Sequence, residues 1–253
     1  QAEDGIRDSV ASRGLGDVYK RQDKDWVKKG DGNALYVRPF VFASEPSINA
    51  SEAIEYTFMI ICCPAKSYYG NQKIKVKIEE KYSRAAKGGV GYAKAAGNYA
   101  AQFYPTAIAK EEGYQQIIWT DSNNHKSIEE AGTMNLFFRI GEKLITSPTS
   151  DSILDGITRK SIIKLAKDLN IDVEERIITV DELLEAQDSG SLKEIFGTGT
   201  AVVILPIKTF GYQNNDFNLP DLDNPWSLEL KKKLTDIQYD KSSEYEDWKV
   251  KIN

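Results

Sequence analysis

A mixed α/β fold is what the patterning of this chain predicts, on two observations. Runs rich in β-formers at residues 34–42, 56–63, 73–79 and 115–120 are followed by stretches of helical period after Lys94, across 150–170 and across 225–239. The chain has 253 residues, 41% of them hydrophobic, which is enough apolar material for one large domain or two modest ones.

Residues 1–22 (QAEDGIRDSVASRGLGDVYKRQ) resemble translated sequencing-adapter read-through and are set apart as a non-native leader; the alternative is a charged native N-terminus. Residues 34–42 (ALYVRPFVF) predict a strand, with Pro39 suited to an edge or bend. Tyr36 and Arg38 stand two apart and so share a face of it. A phenol beside a guanidinium suits a carboxylate, although an arginine on a strand edge is more often simply solvated. The continuous apolar run at 56–63 predicts a buried strand, holding Cys62 and Cys63 as reduced core residues. Residues 73–79 alternate Ile and Val with charges, as a half-exposed strand does, and 64–70 predict a hairpin connection that carries Tyr68.

The stretch 87–100 (KGGVGYAKAAGNYA) places Lys94 among glycines and small residues where a helical pattern begins. Most lysines are solvated surface charges. Gly88, Gly89, Gly91 and Gly97, however, permit close backbone approach, and an amine in a small, partly apolar setting has its pKa pulled down, which suits Schiff-base chemistry. A helix of about four turns then runs to near Gly113, with Tyr99, Ala100, Phe103, Tyr104 and Ile108 as its apolar side. Tyr99 is either a core tyrosine with a satisfied hydroxyl or a phenol available to a group joined to Lys94.

Further on, Glu129-Glu130-Ala131-Gly132-Thr133-Met134-Asn135 opens a β-rich run, and one of two adjacent glutamates is ordinarily a solvated acid. Asp155-Gly156-Ile157-Thr158-Arg159 marks a helix start within 150–170, whose free N–H groups and positive dipole end suit an anion. Taken alone it is a well-capped helix. A strand at 173–180 and a helix at 181–186 follow, then the small-residue turn Gly197-Thr198-Gly199-Thr200-Ala201, a strand at 202–207, and an amphipathic cationic helix at 225–239. No internal repeat or low-complexity segment is present.

With 33 basic and 38 acidic residues the net charge is -5, giving no broad electrostatic reason to expect nucleic acid or anionic membrane as a partner. No apolar run is long enough to span a bilayer, and the first residues lack the apolar core of a signal peptide, so a cytoplasmic location is the default expectation. The single histidine, His125, lies in a polar turn; with no clustered cysteines, His-based triads and common zinc sites find no support, and no metal is expected.

Five motifs in one order carry a resemblance: residues 87–99, Glu130-Ala131-Gly132-Thr133-Met134-Asn135, Leu154-Asp155-Gly156-Ile157-Thr158-Arg159, Gly197-Thr198-Gly199-Thr200-Ala201, and Leu234-Thr235-Asp236-Ile237-Gln238-Tyr239. Together they resemble the branched-chain amino acid aminotransferases, pyridoxal-phosphate enzymes of fold type IV. The likeness spans residues 23–253, mostly the family's larger cofactor-binding domain, with most of the smaller N-terminal domain missing and the chain's end placed where the family's ends.

The resemblance implies Lys94 as the catalytic lysine that carries pyridoxal 5'-phosphate. It implies Tyr99, Glu130, Ile157, Thr158 and Thr200 as cofactor contacts, with Glu130 at the ring nitrogen and Ile157 and Thr158 at the phosphate. Tyr36, Arg38, Tyr68, Thr133 and Ala201 are then implied at the substrate. The implied reaction moves an amino group between leucine, isoleucine or valine and 2-oxoglutarate, giving branched 2-oxo acids and L-glutamate, in a homodimer. Two departures stand out. Val202 and Leu205 occupy the places where some members carry a redox-sensitive Cys-x-x-Cys, so no thiol switch is expected there. The family's phosphate-binding arginine belongs to the missing N-terminal part. Rival expectations are a D-amino acid transaminase or aminodeoxychorismate lyase of the same fold, and an inactive fragment of the transaminase.

Overall fold

The computed structural model describes residues 24–66, except 29 and 31, and residues 73–250. The leader at 1–22 and Tyr68 therefore lie outside the described residues. Two compact units make up the chain, residues 1–68 with 250–253 and residues 69–249.

In the first unit β1 (Asn33–Ala43) and β2 (Tyr56–Lys66) pair antiparallel over their whole length, with Pro39 opposite Ile60. This corrects two expectations. An apolar run is buried only where both faces of its strand are covered. Here β2 belongs to a two-stranded sheet, and Tyr56, Met59, Ile61 and Cys63 are exposed, with Cys62 half-buried. Neither cysteine is a core residue. Nor is β2 the hairpin partner of the strand that follows, since its partner is β1.

The second unit is built on a nine-stranded mixed sheet. Its strands are β3 (Ile74–Ile78), β4 (Gln116–Thr120), β5 (Ile128–Ala131), β6 (Asn135–Ile140), β7 (Lys143–Thr146), β8 (Asp172–Glu175), β9 (Leu192–Gly199), β10 (Val203–Tyr212) and β11 (Asn215–Asn218). They lie in the order β5-β4-β3-β10-β9-β6-β7-β8, with β11 added on β10. The tight turn between Ala131 and Met134, closed by hydrogen bonds of 2.9 Å in both directions, joins the outermost strand β5 to β6. Because β6 lies far along the order, a turn this short requires the sheet to curl back on itself.

Among the described residues four α-helices pack on this sheet: α1 (Ala96–Glu111), α2 (Ile157–Asp168), α3 (Val180–Asp188) and α4 (Trp226–Gln238). Strand alternation sorts neighbours onto different cores. Phe138 joins Ile118, Ile195 and Leu205 with Leu183 of α3. Phe137 stacks on Phe196, ring centroids 5.3 Å apart, in the core that α2 and α4 close with Ile162, Leu165, Leu230 and Leu234. β3 shows the predicted alternation, its three apolar side chains buried and its two lysines half-exposed and paired with Asp216 and Glu112 at 2.6 Å.

The helix after Lys94 ends as expected, beside a left-handed Gly113 at φ +89. Its predicted apolar side is corrected: Phe103 and Tyr104 are 72% and 65% exposed, and the buried stripe is Asn98, Gln102, Pro105 and Ala109. Two amides can line the inner face because each finds partners there. Asn98 Nδ2 donates to the carbonyls of Val90 (2.8 Å) and Ala93 (2.9 Å), and Gln102 Nε2 donates to that of Asn98 (3.2 Å). α2 begins at Ile157, its preceding residues forming a loop with a bridge between Ser150 and Ile153. β7, β9 and β11 have no counterpart in the sequence expectations. Among the described residues no helix is long and apolar enough to cross a membrane.

Phe196→Ala opens a cavity in the core under α2 and α4 and is expected to lower the unfolding free energy by about 3–5 kcal/mol. Phe103→Ser on the outward face of α1 should change it by less than about 0.5 kcal/mol. Denaturant midpoints of the two variants check the corrected helix orientation directly.

Candidate active site

Lys94 sits two residues ahead of α1, and its loop is tied down from both sides. Asn98, buried in the first turn of α1, holds Val90 and Ala93 from within; Tyr92 N–H donates to Asp151 O at 3.0 Å, and Gly88 N–H to Asp151 Oδ2 at 2.9 Å. A Cβ at Gly91 would fall 2.5 Å from Ala85 Cβ and 2.6 Å from both Asp151 O and Ser152 Cα, so glycine is required where the loop presses on residues 151–152. The Lys94 side chain itself is exposed, not enclosed as its small neighbours suggest. Tyr99 is half-buried in the first turn of α1.

The sheet holds a buried acid, Glu130 on β5, 4% exposed, which feels the charge of Lys94. Its Oε1 meets Arg84 Nη2 at 3.0 Å, and its Oε2 accepts from Leu154 N–H at 3.0 Å and Asn135 Nδ2 at 3.4 Å. Burial pushes its pKa up; Arg84 and the Leu154 N–H pull it down, Glu129 pushes it up and Lys94 pulls it down, leaving it at about 7 against the ordinary 4.5.

Arg84 was not singled out in the sequence. It is buried, and besides Glu130 it donates through Nη2 to the carbonyls of Gly91 (3.1 Å) and Ser152. Glu129 is also not the solvated acid its position beside Glu130 suggested. It is buried on the opposite face of β5, accepts from the Ser152 hydroxyl, and has its pKa raised by burial against the pull of that hydroxyl and of Arg84.

Asn135, at the start of β6, links Glu130 to the start of α2. Its Nδ2 donates to Leu154 O at 2.8 Å as well as to Glu130, and its Oδ1 occupies the place where a Cβ on Gly156 would be. α2 opens from Gly156 with no side-chain cap and no acid in its first turn, with Ile157 exposed and Thr158 half-buried. Its leading N–H groups, with no side-chain cap, suit an anion.

The third element arrives through the sheet. β9 pairs with β6, placing Thr198 opposite Asn135, and Met134 packs so tightly on Gly197 that a Cβ there would lie 2.6 Å from Met134 Sδ. A Cβ on Gly199 would lie 3.1 Å from Thr133 O. Thr133 and the exposed Thr200 and Ala201 therefore belong to one end of the β6–β9 pair. The β9–β10 turn is strained at Val203, a β-branched residue held at φ +58, a conformation costing about 1–2 kcal/mol.

Lys94, Glu130, Thr133, the start of α2 and the Thr200–Ala201 turn are in this way joined through shared partners. Tyr36 and Arg38 share a face of β1 as their spacing predicts, Arg38 Nη2 donating to Tyr36 Oη at 2.9 Å, and they belong to the other compact unit. The donor set fits pyridoxal phosphate in kind: a primary amine, a buried carboxylate with acceptor capacity left for a ring N–H, and uncapped amides for a phosphate.

Because the folded-state pKa of Glu130 is raised, its protonated form is favoured by folding. That contribution is fully present below the ordinary carboxylate range and is lost as pH rises through about 7. Between these limits the parent chain should lose stability relative to Glu130→Gln as pH rises, by a few kcal/mol in all (about 1.4 kcal/mol per pKa unit), read from urea midpoints of both chains across the range. Arg84→Met at pH 8 leaves Glu130 buried without its cation and is expected to cost about 3–5 kcal/mol. Adding Glu130→Gln to it should recover part of that loss.

The family model described as "Amino-transferase class IV" matches residues 19–210. A probable branched-chain-amino-acid aminotransferase of Staphylococcus aureus (strain N315) is 44% identical over 218 residues, covering 85% of this chain and 60% of that protein. Branched-chain-amino-acid transaminase 1 of Bacillus subtilis (strain 168) is 42% identical over 238 residues, 91% of this chain and 66% of that protein. The crystal structure of the branched-chain aminotransferase from Thermoproteus uzoniensis with norvaline superposes with a TM-score of 0.75 at 26% identity, over 87% of this chain and 69% of that one. The Escherichia coli branched-chain amino acid aminotransferase superposes with a TM-score of 0.71 at 28% identity, over 87% and 70%. The chain thus spans about 60% of the length of the first of these relatives. Matched by the family model over most of its length and built on the same curled mixed sheet as those structures, it belongs to the class IV aminotransferases.

Proposed function

We propose that this chain contributes the lysine, the acid and the phosphate cradle to pyridoxal-phosphate-dependent transamination of branched-chain L-amino acids with 2-oxoglutarate. The observation that carries the proposal is the buried Glu130 carboxylate, held by Arg84 and Leu154 within reach of the Lys94 charge. The names of the relatives at 42–44% identity support the substrate class.

When bound, pyridoxal phosphate supplies the carbonyl that takes up the amine and a ring that draws electrons from the substrate α-carbon. Lys94 gives the primary amine that carries it and afterwards moves the proton at the α-carbon, as base and then acid. Glu130 holds a negative charge toward the ring nitrogen and so keeps a proton there. Its two fixed oxygens leave it no rotational freedom to turn away. Tyr99, in the first turn of α1, would offer its phenol to the same ring. The N–H groups of Ile157 and Thr158 and the Thr200 hydroxyl bind the phosphate. Thr133 and Ala201 serve the substrate, and Arg38 and Tyr36 are assigned to an acidic side chain by resemblance alone. Tyr68 is assigned to the substrate by resemblance alone. A homodimer is the proposed assembly.

The test is a visible absorption spectrum of the purified chain with pyridoxal phosphate, before and after L-leucine or D-alanine, beside Lys94→Ala. Borohydride reduction followed by peptide mass analysis should fix the cofactor's mass on the Lys94 peptide. A band that depends on Lys94 and responds to L-leucine is expected. A band responding only to D-alanine would replace the substrate class, and a folded chain that retains no cofactor would sink the proposal for this chain.

A further inference from the structure

At the other end of β9 from the Thr200 turn, a cavity of about 330 Å3 lies between the sheet and the segment leading into α4. Ile195, Leu205 and Ile207 form its floor, and Leu219, Leu222 and Leu228 its outer wall. A cavity of this size, its walls more apolar than polar, has room for a small molecule. Three lysines border it. Lys73 is paired with Asp221 at 2.6 Å, and Lys193 donates to Gly190 O at 2.7 Å. Lys231 is half-buried and has no acceptor among the described residues, and burial lowers its pKa.

The one acid in the lining is already committed. Glu194 accepts from Trp226 N–H (2.8 Å), Ser227 N–H (3.1 Å) and Ser227 Oγ (2.7 Å), and it faces Arg139 at 3.7 Å. That arrangement leaves Lys231 unneutralised, and it also occupies the leading amides of α4, which a phosphate would need. A ligand matching the cavity therefore carries one negative charge and an apolar tail.

We propose that this cavity binds a medium-chain carboxylate, its tail against Ile195, Leu205, Ile207 and Leu228 and its carboxylate between the ammonium groups of Lys231 and Lys193. Binding supplies the acceptor that Lys231 lacks and covers apolar wall now open to water. The site shares no lining residue with the region around Lys94 and does not rest on the transaminase proposal.

Octanoate is the probe, titrated calorimetrically into the purified chain, with octan-1-ol and inorganic phosphate as controls. Lys231→Met keeps the stem and removes the charge; Leu228→Asp places a negative charge in the wall. Saturable binding is expected, weakened roughly tenfold or more by each of these variants. It should be unchanged by Lys232→Met on the solvated side of α4 and by Lys94→Ala, and stronger than that of octan-1-ol or phosphate. Circular dichroism establishes that each variant is folded. No saturable octanoate binding by the folded parent overturns the proposal. So does binding that Lys231→Met leaves unchanged, or that Lys94→Ala abolishes.

Discussion

Two charges, sealed inside the protein and bonded to each other, organise the region around Lys94. The Arg84 guanidinium reaches Glu130 on β5, Gly91 O beside the lysine and Ser152 O in the loop before α2. The Glu130 carboxylate reaches Leu154 in that same loop and Asn135 on β6. Three segments distant in sequence are thereby fixed to one another by a single pair. Such a pair gains little net stability, because removing both charges from water costs about as much as their attraction returns. What it does contribute is geometric definition, since neither group can swing away without leaving its partner unpaired in an apolar setting. A site that must hold an amine, an acid and a phosphate cradle in register needs that definition more than it needs stability.

Much of this was legible in the sequence because local chemistry decided it. The end of α1 follows from Gly113, the burial of β3 from its Ile/Val alternation, and the start of α2 from Gly156 ahead of the periodic Ile162, Ile163, Leu165 and Ala166. Tyr36 and Arg38 meet for the simple reason that residues two apart on a strand face the same way.

Where the sequence misled, a tertiary partner had reversed a local preference. The inner face of α1 is polar because Asn98 and Gln102 bond carbonyls that no periodicity can reveal. The apolar run of β2 is exposed because burial depends on what covers a strand, not on its composition. Arg84 left only a faint trace, an arginine followed by two alanines, one of which meets Gly91. Glu129 and Glu130 show the limit most plainly: neighbours of identical chemistry point to opposite faces of one strand, and both are buried by partners from the loop at 152–154.

The position of β3 in the sheet bears on how the chain reaches its fold. It is the first strand of its unit, yet it lies between β4 and β10, pairing in parallel with Ile207 and Gly211 near the unit's other end. During synthesis β3 and β4 emerge early, with one edge of β3 unpaired until β10 has been made. Closing a parallel pairing over so long a loop is intrinsically slow, and the waiting edge is a template for mispairing. The central seam of the sheet therefore cannot close before β10 has been made, and until then the open edge of β3 favours mispairing between nascent chains.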